Sequence, residues 1–259
     1  MLDRLDTIKK IDKGNMLGLI YNFPDHCKEA IEIARQSTRG LRFNNIMNVI
    51  IAGLGGSAIG GDLIRMITAN SAQIPIVVNR DYSLPAFVDE RTLVIASSYS
   101  GNTEETLAAY EHAKSKRAKI IAITTGGELK NRAMADEIPY ITIPGGLPPR
   151  AALGYSFFPI FVLLKELGIG FGRQDVERAI DLLYETREQL KEDLPEKENP
   201  AKQLARKIHG KIPVIYGSSN LTDVIAVRWK GQFNENSKHP AFYNAFPELD
   251  HNEIMGFEG

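Results

Sequence analysis

Ser98, Ser100 and Thr103 place three hydroxyls in the short run Ser98-Tyr99-Ser100-Gly101-Asn102-Thr103, just after an apolar strand-like segment and just before a helix-like one. Hydroxyl donors beside the unpaired N–H groups of a helix N-terminus form a cradle for a phosphate monoester. A plainer reading has Asn102 or Thr103 capping the helix while the serines face solvent. A second anion-friendly turn precedes it in IIAGLGGSAIGGDLIR, which follows an apolar strand and opens another helix. Glycines there let backbone N–H groups approach an anionic group closely. Gly53, Gly55 and Ala58 also satisfy the spacing of a dinucleotide-binding turn, with Asn79-Arg80-Asp81 where a ribose partner would follow. The same turn can equally be a ligand-free strand–helix junction. A dinucleotide fold has no need of a second hydroxyl cluster, whereas a phosphosugar site does.

The elements that must position these groups follow from short β-rich runs at 46–53, 74–79, 92–98, 119–124 and 139–144. Most are nearly continuously apolar, as strands covered on both faces tend to be. Helical segments at roughly 58–69, 103–116 and 128–135 separate most of them, which predicts a parallel sheet with crossover helices. Ahead of the sheet, Cys27, Ala30, Ile31 and Ala34 share one face of a helix for which Asp25 is a candidate cap. Helices are expected at 152–166 and 175–192, then the connector KEDLPEKENPAKQ, one strand at 211–217 and a helix over 222–238. The fold class is α/β: a parallel sheet flanked by helices, then the start of a second such unit. The expected division is a helical segment 1–43, a first domain 44–192, a helical linker 193–210 and a second domain 211–259, apparently incomplete.

Thirty-one Lys and Arg balance 32 Asp and Glu, for a formal net charge of -1, which lacks the field that non-specific nucleic-acid binding needs. Neither a signal-peptide core nor an apolar run of membrane-spanning length is visible. The single Cys27 rules out an internal disulfide, so a reducing cytoplasm is the expected setting. His26, His112, His209, His239 and His251 are scattered without ligand spacing, so no metal is expected.

The string SSYSGNTEET resembles the phosphosugar-binding loop of sugar-isomerase (SIS) domains. Together with AGLGGSAIGGD, AITTGGEL, PPRAAL and FNENSK, it makes residues 45–259 similar to the bifunctional phosphoglucose/phosphomannose isomerase family. The resemblance implies two SIS domains that share one active site in a homodimer, acting on a sugar 6-phosphate without a cofactor. It implies that Gly55, Gly56, Ser57, Ser98, Ser100 and Thr103 hold the sugar phosphate. It further implies Glu235 as the base, Arg150 as the catalytic arginine and His251 as the ring-opening histidine.

Those residue types suit an aldose–ketose isomerisation through a cis-enediol. One carboxylate moves a proton between C2 and C1, a fixed guanidinium stabilises the enediolate oxygen, and an imidazole protonates the ring oxygen. Removing the C2 proton erases the difference between glucose and mannose epimers, so one base can serve both. Each residue also has a structural alternative: Glu235 solvated on a helix, Arg150 in a surface loop, His251 paired with Asp250 or Glu253. Rival functions are a non-catalytic SIS sensor of a sugar phosphate and an NAD(P)-dependent oxidoreductase. The family continues beyond the position of Gly259, and a shortened, poorly active enzyme is the corresponding expectation.

Overall fold

The computed structural model describes residues 2–170 and 176–258. Contacts divide the chain into two compact units, His26–Gln174 and a second made of Met1–Asp25 with Asp175–Gly259.

The unit His26–Gln174 is built on a sheet of five parallel strands: β1 (Asn48–Ala52), β2 (Ile76–Asn79), β3 (Thr92–Ser98), β4 (Lys119–Thr124) and β5 (Tyr140–Thr142). Their order is β2-β1-β3-β4-β5. The continuous apolar runs have the cause expected of them, since every residue of β3 is buried and so are Val49 to Ala52 of β1. Alternate side chains serve opposite faces. Ile50, Ala52, Val94, Ala96, Ile120 and Ala122 join one cluster with Ala109, Tyr110 and Ala113 of α5 (Glu104–Ser115) and with Leu129 and Ala133 of α6 (Gly127–Ala135). Ile51 points the other way, toward Gly61 of α4 (Gly55–Thr68).

Behind α4 lies α7 (Leu153–Glu166). Ser156 of α7 comes so near Gly60 that a β-carbon there would lie 2.5 Å from its carbonyl oxygen. Gly154 of α7 meets Cys27 in the same intimate way on α3 (Phe23–Thr38), whose buried face is Cys27, Ala30, Ile31 and Ala34 as the periodicity predicts. Asp25 does not cap α3, because the helix already starts at Phe23. Its carboxylate instead accepts the Tyr184 hydroxyl at 2.6 Å and Arg187 at 2.9 Å.

The second unit contains α1 (Leu5–Ile11), α2 (Met16–Tyr21), α8 (Val176–Leu190) and α9 (Pro200–Ile208). The first residue of the expected 175–192 helix lies outside the described residues. The guanidinium of Arg187 is sandwiched between the rings of Tyr21 and Tyr184, at 4.3 and 4.5 Å. That stacking is a favourable seat for a planar cation. Asn199 caps α9, accepting the N–H groups of Ala201 and Lys202, and Pro200 takes the first helical position, where no N–H is missed.

Beyond α9 the sequence predicts one strand, and the structure has two. β6 (Val214–Ser218) and β7 (Phe242–Phe246) pair in parallel, with Val214 opposite Phe242 and Ser218 opposite Phe246, across α10 (Asp223–Gln232). β7 escaped notice because its sequence, FYNAF, is interrupted by Asn244, and none of its side chains is fully buried. The expected helix over 222–238 ends at Gln232 and continues as one π-helical turn, Phe233–Ser237.

Gly60→Ala forces a methyl group into backbone rather than into a movable side chain. It should cost about 1–3 kcal/mol, the usual toll of overpacking, read as a lowered urea midpoint with an unchanged slope.

Candidate active site

Strands β1 and β3 are neighbours, and the chain leaves them in opposite directions along the sheet, β1 toward β2 and β3 toward β4. This is the topological switch point, where the loops at the carboxyl ends diverge and leave a crevice in which α/β proteins bind ligands. The two sequence-predicted phosphate segments lie at these ends: Gly55, Gly56 and Ser57 after β1, and residues 99–103 after β3.

The two loops are fastened together. The Tyr99 N–H donates to Ser57 Oγ at 3.2 Å. The Asn102 N–H donates to Ser100 Oγ at 3.2 Å, and the Gly101 N–H to Ser98 Oγ at 3.1 Å, while Ser98 and Thr103 share a hydrogen bond at 2.8 Å. Backbone N–H groups thus occupy acceptor positions on Ser57, Ser98 and Ser100. Ser57 and Ser100 keep their own protons, and the Ser98–Thr103 pair consumes one proton and keeps one. The oxygens are fixed while O–H donors remain for an anion.

No side chain of Thr103 caps α5, and none of Leu54 caps α4. Asn102 serves a different helix from the one the sequence pointed to: its Oδ1 accepts the Glu128 N–H at 3.0 Å, in the first turn of α6. The first turns of α4 and α5 therefore keep their positive ends facing the loops.

Close approaches dictate the glycines. Gly101 has φ +73°, and a β-carbon on it would lie 1.9 Å from the Gly126 carbonyl oxygen. One on Gly53 would lie 2.7 Å from the Ser97 oxygen. One on Gly56 would lie 2.7 Å from the Pro149 oxygen, which brings the turn Pro149–Ala151, and Arg150 within it, against the glycine turn.

Tyr99 is a residue of this crevice to which the sequence reading gave no role. Its hydroxyl donates to the Pro144 carbonyl at 3.0 Å and accepts the Leu147 N–H at 3.0 Å. Burial raises its pKa, against a smaller opposing effect of the Leu147 N–H, so the donor proton is retained at neutral pH. The signal available in the sequence was only an aromatic residue set between two loop hydroxyls.

Arg150 thus lies with the phosphate loops in the unit His26–Gln174, whereas Glu235 and His251 belong to the other unit. Glu235 is exposed in the π-helical turn, and its carbonyl accepts Lys238 Nζ at 2.7 Å. Such turns recur at functional sites. Burial pushes the guanidinium of Arg228 down, and the Glu235 carboxylate acts on it in the opposite sense. His251 ends a short 3-10 turn and is exposed. The alternative partner Glu253 is engaged elsewhere, by the Tyr216 hydroxyl at 2.5 Å and by Asn244. Those two bonds, Tyr216 first, hold its carboxyl below the usual range.

The polar residues that a dinucleotide reading would use have partners within the chain. Arg80 is paired with Asp62, and the Asp81 carboxylate accepts the Tyr82 N–H at 2.6 Å. Among the described residues, no three His, Cys, Asp or Glu side chains converge as a metal site would require, and no helix is long and apolar enough to cross a membrane.

The SIS domain family model matches residues 43–144, and that of the bacterial phospho-glucose isomerase C-terminal SIS domain matches 197–259. A bifunctional phosphoglucose/phosphomannose isomerase of Caldicellulosiruptor bescii is 54% identical over 244 residues, which cover 94% of this chain and 72% of that protein. The chain belongs to the bifunctional phosphoglucose/phosphomannose isomerase family. A D-glucosamine-6-phosphate 4-epimerase of Sulfolobus acidocaldarius is also similar, at 35% identity over 204 residues, 78% of this chain and 61% of that protein. Among solved structures, the tagatose-6-phosphate ketose/aldose isomerase of Escherichia coli superposes with a TM-score of 0.64 at 15% identity, covering 95% of this chain and 70% of that one. At that identity the likeness speaks for the fold alone, an α/β sheet of SIS type.

Gly55 and Gly101 separate strain from collision. At Gly55, φ is +51° but an added β-carbon meets nothing within 4 Å, so Gly55→Ala should cost the ~1–2 kcal/mol of a left-handed L-residue. Gly101→Ala adds the clash with Gly126 and should cost clearly more in the same urea titration. Equal costs would mean that the Gly126 contact yields freely.

Proposed function

We propose that this chain isomerises sugar 6-phosphates, converting fructose 6-phosphate to glucose 6-phosphate and to mannose 6-phosphate through a cis-enediol. The observation that carries this reading is the pair of hydroxyl-bearing loops joined by the Tyr99–Ser57 hydrogen bond at the switch point of the sheet. Ser57 and Ser100 each supply an O–H donor to the phosphate, the hydrogen-bonded pair Ser98–Thr103 supplies one more, and Gly55 and Gly56 admit the anion to the start of α4. The family's bifunctional members support the pair of substrates.

In this reading residues 44–192 form the first SIS domain, 193–210 the linker, and 211–259 the part of the second that carries Glu235 and His251. The active protein is a cytoplasmic homodimer whose two copies share their sites, and the single buried thiol of Cys27 suits a reducing compartment. His251 gives a proton to the ring oxygen as the sugar opens. Glu235 then takes the proton from C2 of the aldose, leaving an enediolate whose oxygen is stabilised by Arg150; as the hydroxyl proton passes from O2 to O1, Glu235 returns its proton to C1 and C2 becomes the ketose carbonyl. A carboxylate suits this shuttle because it holds the proton only between two neighbouring carbons. No cofactor enters these steps.

A coupled assay of fructose 6-phosphate conversion in EDTA tests the reading. Activity that vanishes with EDTA and returns with zinc would overturn the metal-free route. Turnover of glucosamine 6-phosphate at C4 in its place would move the chain to the epimerase branch, and phosphosugar binding without turnover would make it a sensor. Glu235→Gln keeps the volume but removes the base, so kcat should fall by at least ~10²-fold with little change in KM. Ser100→Ala should show the opposite bias, raising KM more than it lowers kcat. Near wild-type turnover in Glu235→Gln would place the base elsewhere.

A further inference from the structure

We propose that Tyr99 is the positioning residue that sets Arg150 against the phosphate loops, an inference that rests on the isomerase reading above.

Tyr99 sits between two hydroxyls yet does a different task. Its main chain joins the crevice at two points: its N–H reaches Ser57 Oγ at 3.2 Å, and its carbonyl accepts the Thr125 N–H at 3.1 Å. Its side chain leaves the loop and meets a third segment, residues 144–147, through the Pro144 carbonyl and the Leu147 N–H. One residue therefore ties the glycine turn, the turn after β4 and the approach to Arg150 to a single loop.

That approach needs an anchor. Gly145 and Gly146 are exposed, and Gly146 has φ +91°, so the chain after Pro144 has little stiffness of its own. From Leu147 onward the reverse holds. Pro148 and Pro149 each lock φ, with Pro148 at −60°, and the turn closes through Ala151 N–H to the Pro148 carbonyl at 2.8 Å and Ala152 N–H to the Pro149 carbonyl at 3.1 Å. A fixed Leu147 thus fixes Arg150 three residues later. Pro149, pressed against Gly56, gives the far end of the same short segment its second support. The Tyr99 hydroxyl can fill its place only because it donates and accepts at once, to a carbonyl and from an N–H on the same segment.

Tyr99→Phe keeps the ring and removes both bonds. Guanidinium misplacement of ~1 Å is worth ~10²-fold in rate, so kcat should drop by about 10- to 100-fold while KM stays within about threefold. The decisive measurement is a double-mutant cycle with Arg150→Ala. If Tyr99 acts through Arg150, adding Tyr99→Phe to Arg150→Ala lowers kcat by less than about threefold further. A merely structural tyrosine would make the two losses multiply, and that result overturns the proposal while leaving the isomerase reading intact. Hydrogen exchange supplies a readout that needs no turnover. The Leu147 amide should exchange at least about tenfold faster in Tyr99→Phe, with the β3 amides unchanged. Unaltered exchange at Leu147 overturns the proposal even in an inactive chain. Faster exchange in a chain that never turns over sugar phosphates would sink the isomerase reading and leave the strut standing.

Discussion

In-register parallel pairing of β1 with β3, which sets Ala52 opposite Ala96, delivers two loops to the same end of the sheet at neighbouring positions. A one-residue slip would send every side chain of a strand to the opposite face, into a close-packed layer shaped for a different set. The register is therefore held by the whole core, by Ile50 and Val94 on one face and by Ile51 and Ile95 on the other. Only with that register is the Tyr99 N–H brought within hydrogen-bonding distance of Ser57 Oγ. The crevice is thus a local consequence of a non-local pairing, and its hydroxyls inherit the rigidity of the sheet rather than that of their own loops.

Rigidity matters to the proposed function because a phosphate dianion would have to be met by donors already aimed. Side-chain hydroxyls rotate freely in solvent, and ordering them on binding carries an entropic cost. The loop removes much of that cost in advance by giving each serine oxygen a backbone N–H. Asn102 makes the arrangement collective. By accepting the Glu128 N–H, it ties the start of α6 to the loop, and the Leu129 N–H to the Gly101 carbonyl, at 2.9 Å, reinforces the same junction. Gly101 and Gly127, with φ +73° and +65°, are the residues that let two backbones approach this closely.

How far the sequence reveals this depends on which physical signal each feature leaves. Strands β1, β3 and β4 are readable because burial on both faces requires continuous apolar runs, and the observed limits of all five strands fall within or beside the expected ranges. The hydroxyls stand out in the sequence by type, and the structure brings Ser57, Ser98, Ser100 and Thr103 together at neighbouring strand ends. β7 leaves a weaker trace, since its short run FYNAF is broken by Asn244, and parallel pairing with β6 is a backbone property. The Asn102 contact is invisible for a related reason. Its side chain is two residues from the start of α5 and 26 from Glu128, whose N–H it accepts in α6, and sequence proximity favoured the nearer helix, which the structure leaves uncapped by it.

The tyrosine shows the general form of the difficulty. Serine and threonine announce chemistry by type, whereas a tyrosine in a loop announces only area and a polar tip. What gives Tyr99 its task is where Pro144 and Leu147 end up, 45 and 48 residues along the chain. Those positions are set by β4 and β5 lying at the far side of β3, so that the chain leaving β5 at Thr142 must return over the carboxyl ends of the sheet. Prolines at 148 and 149 then convert that return into a fixed direction for Arg150. The motif residues can be read one by one, but the strut between them exists only once the strand order is known.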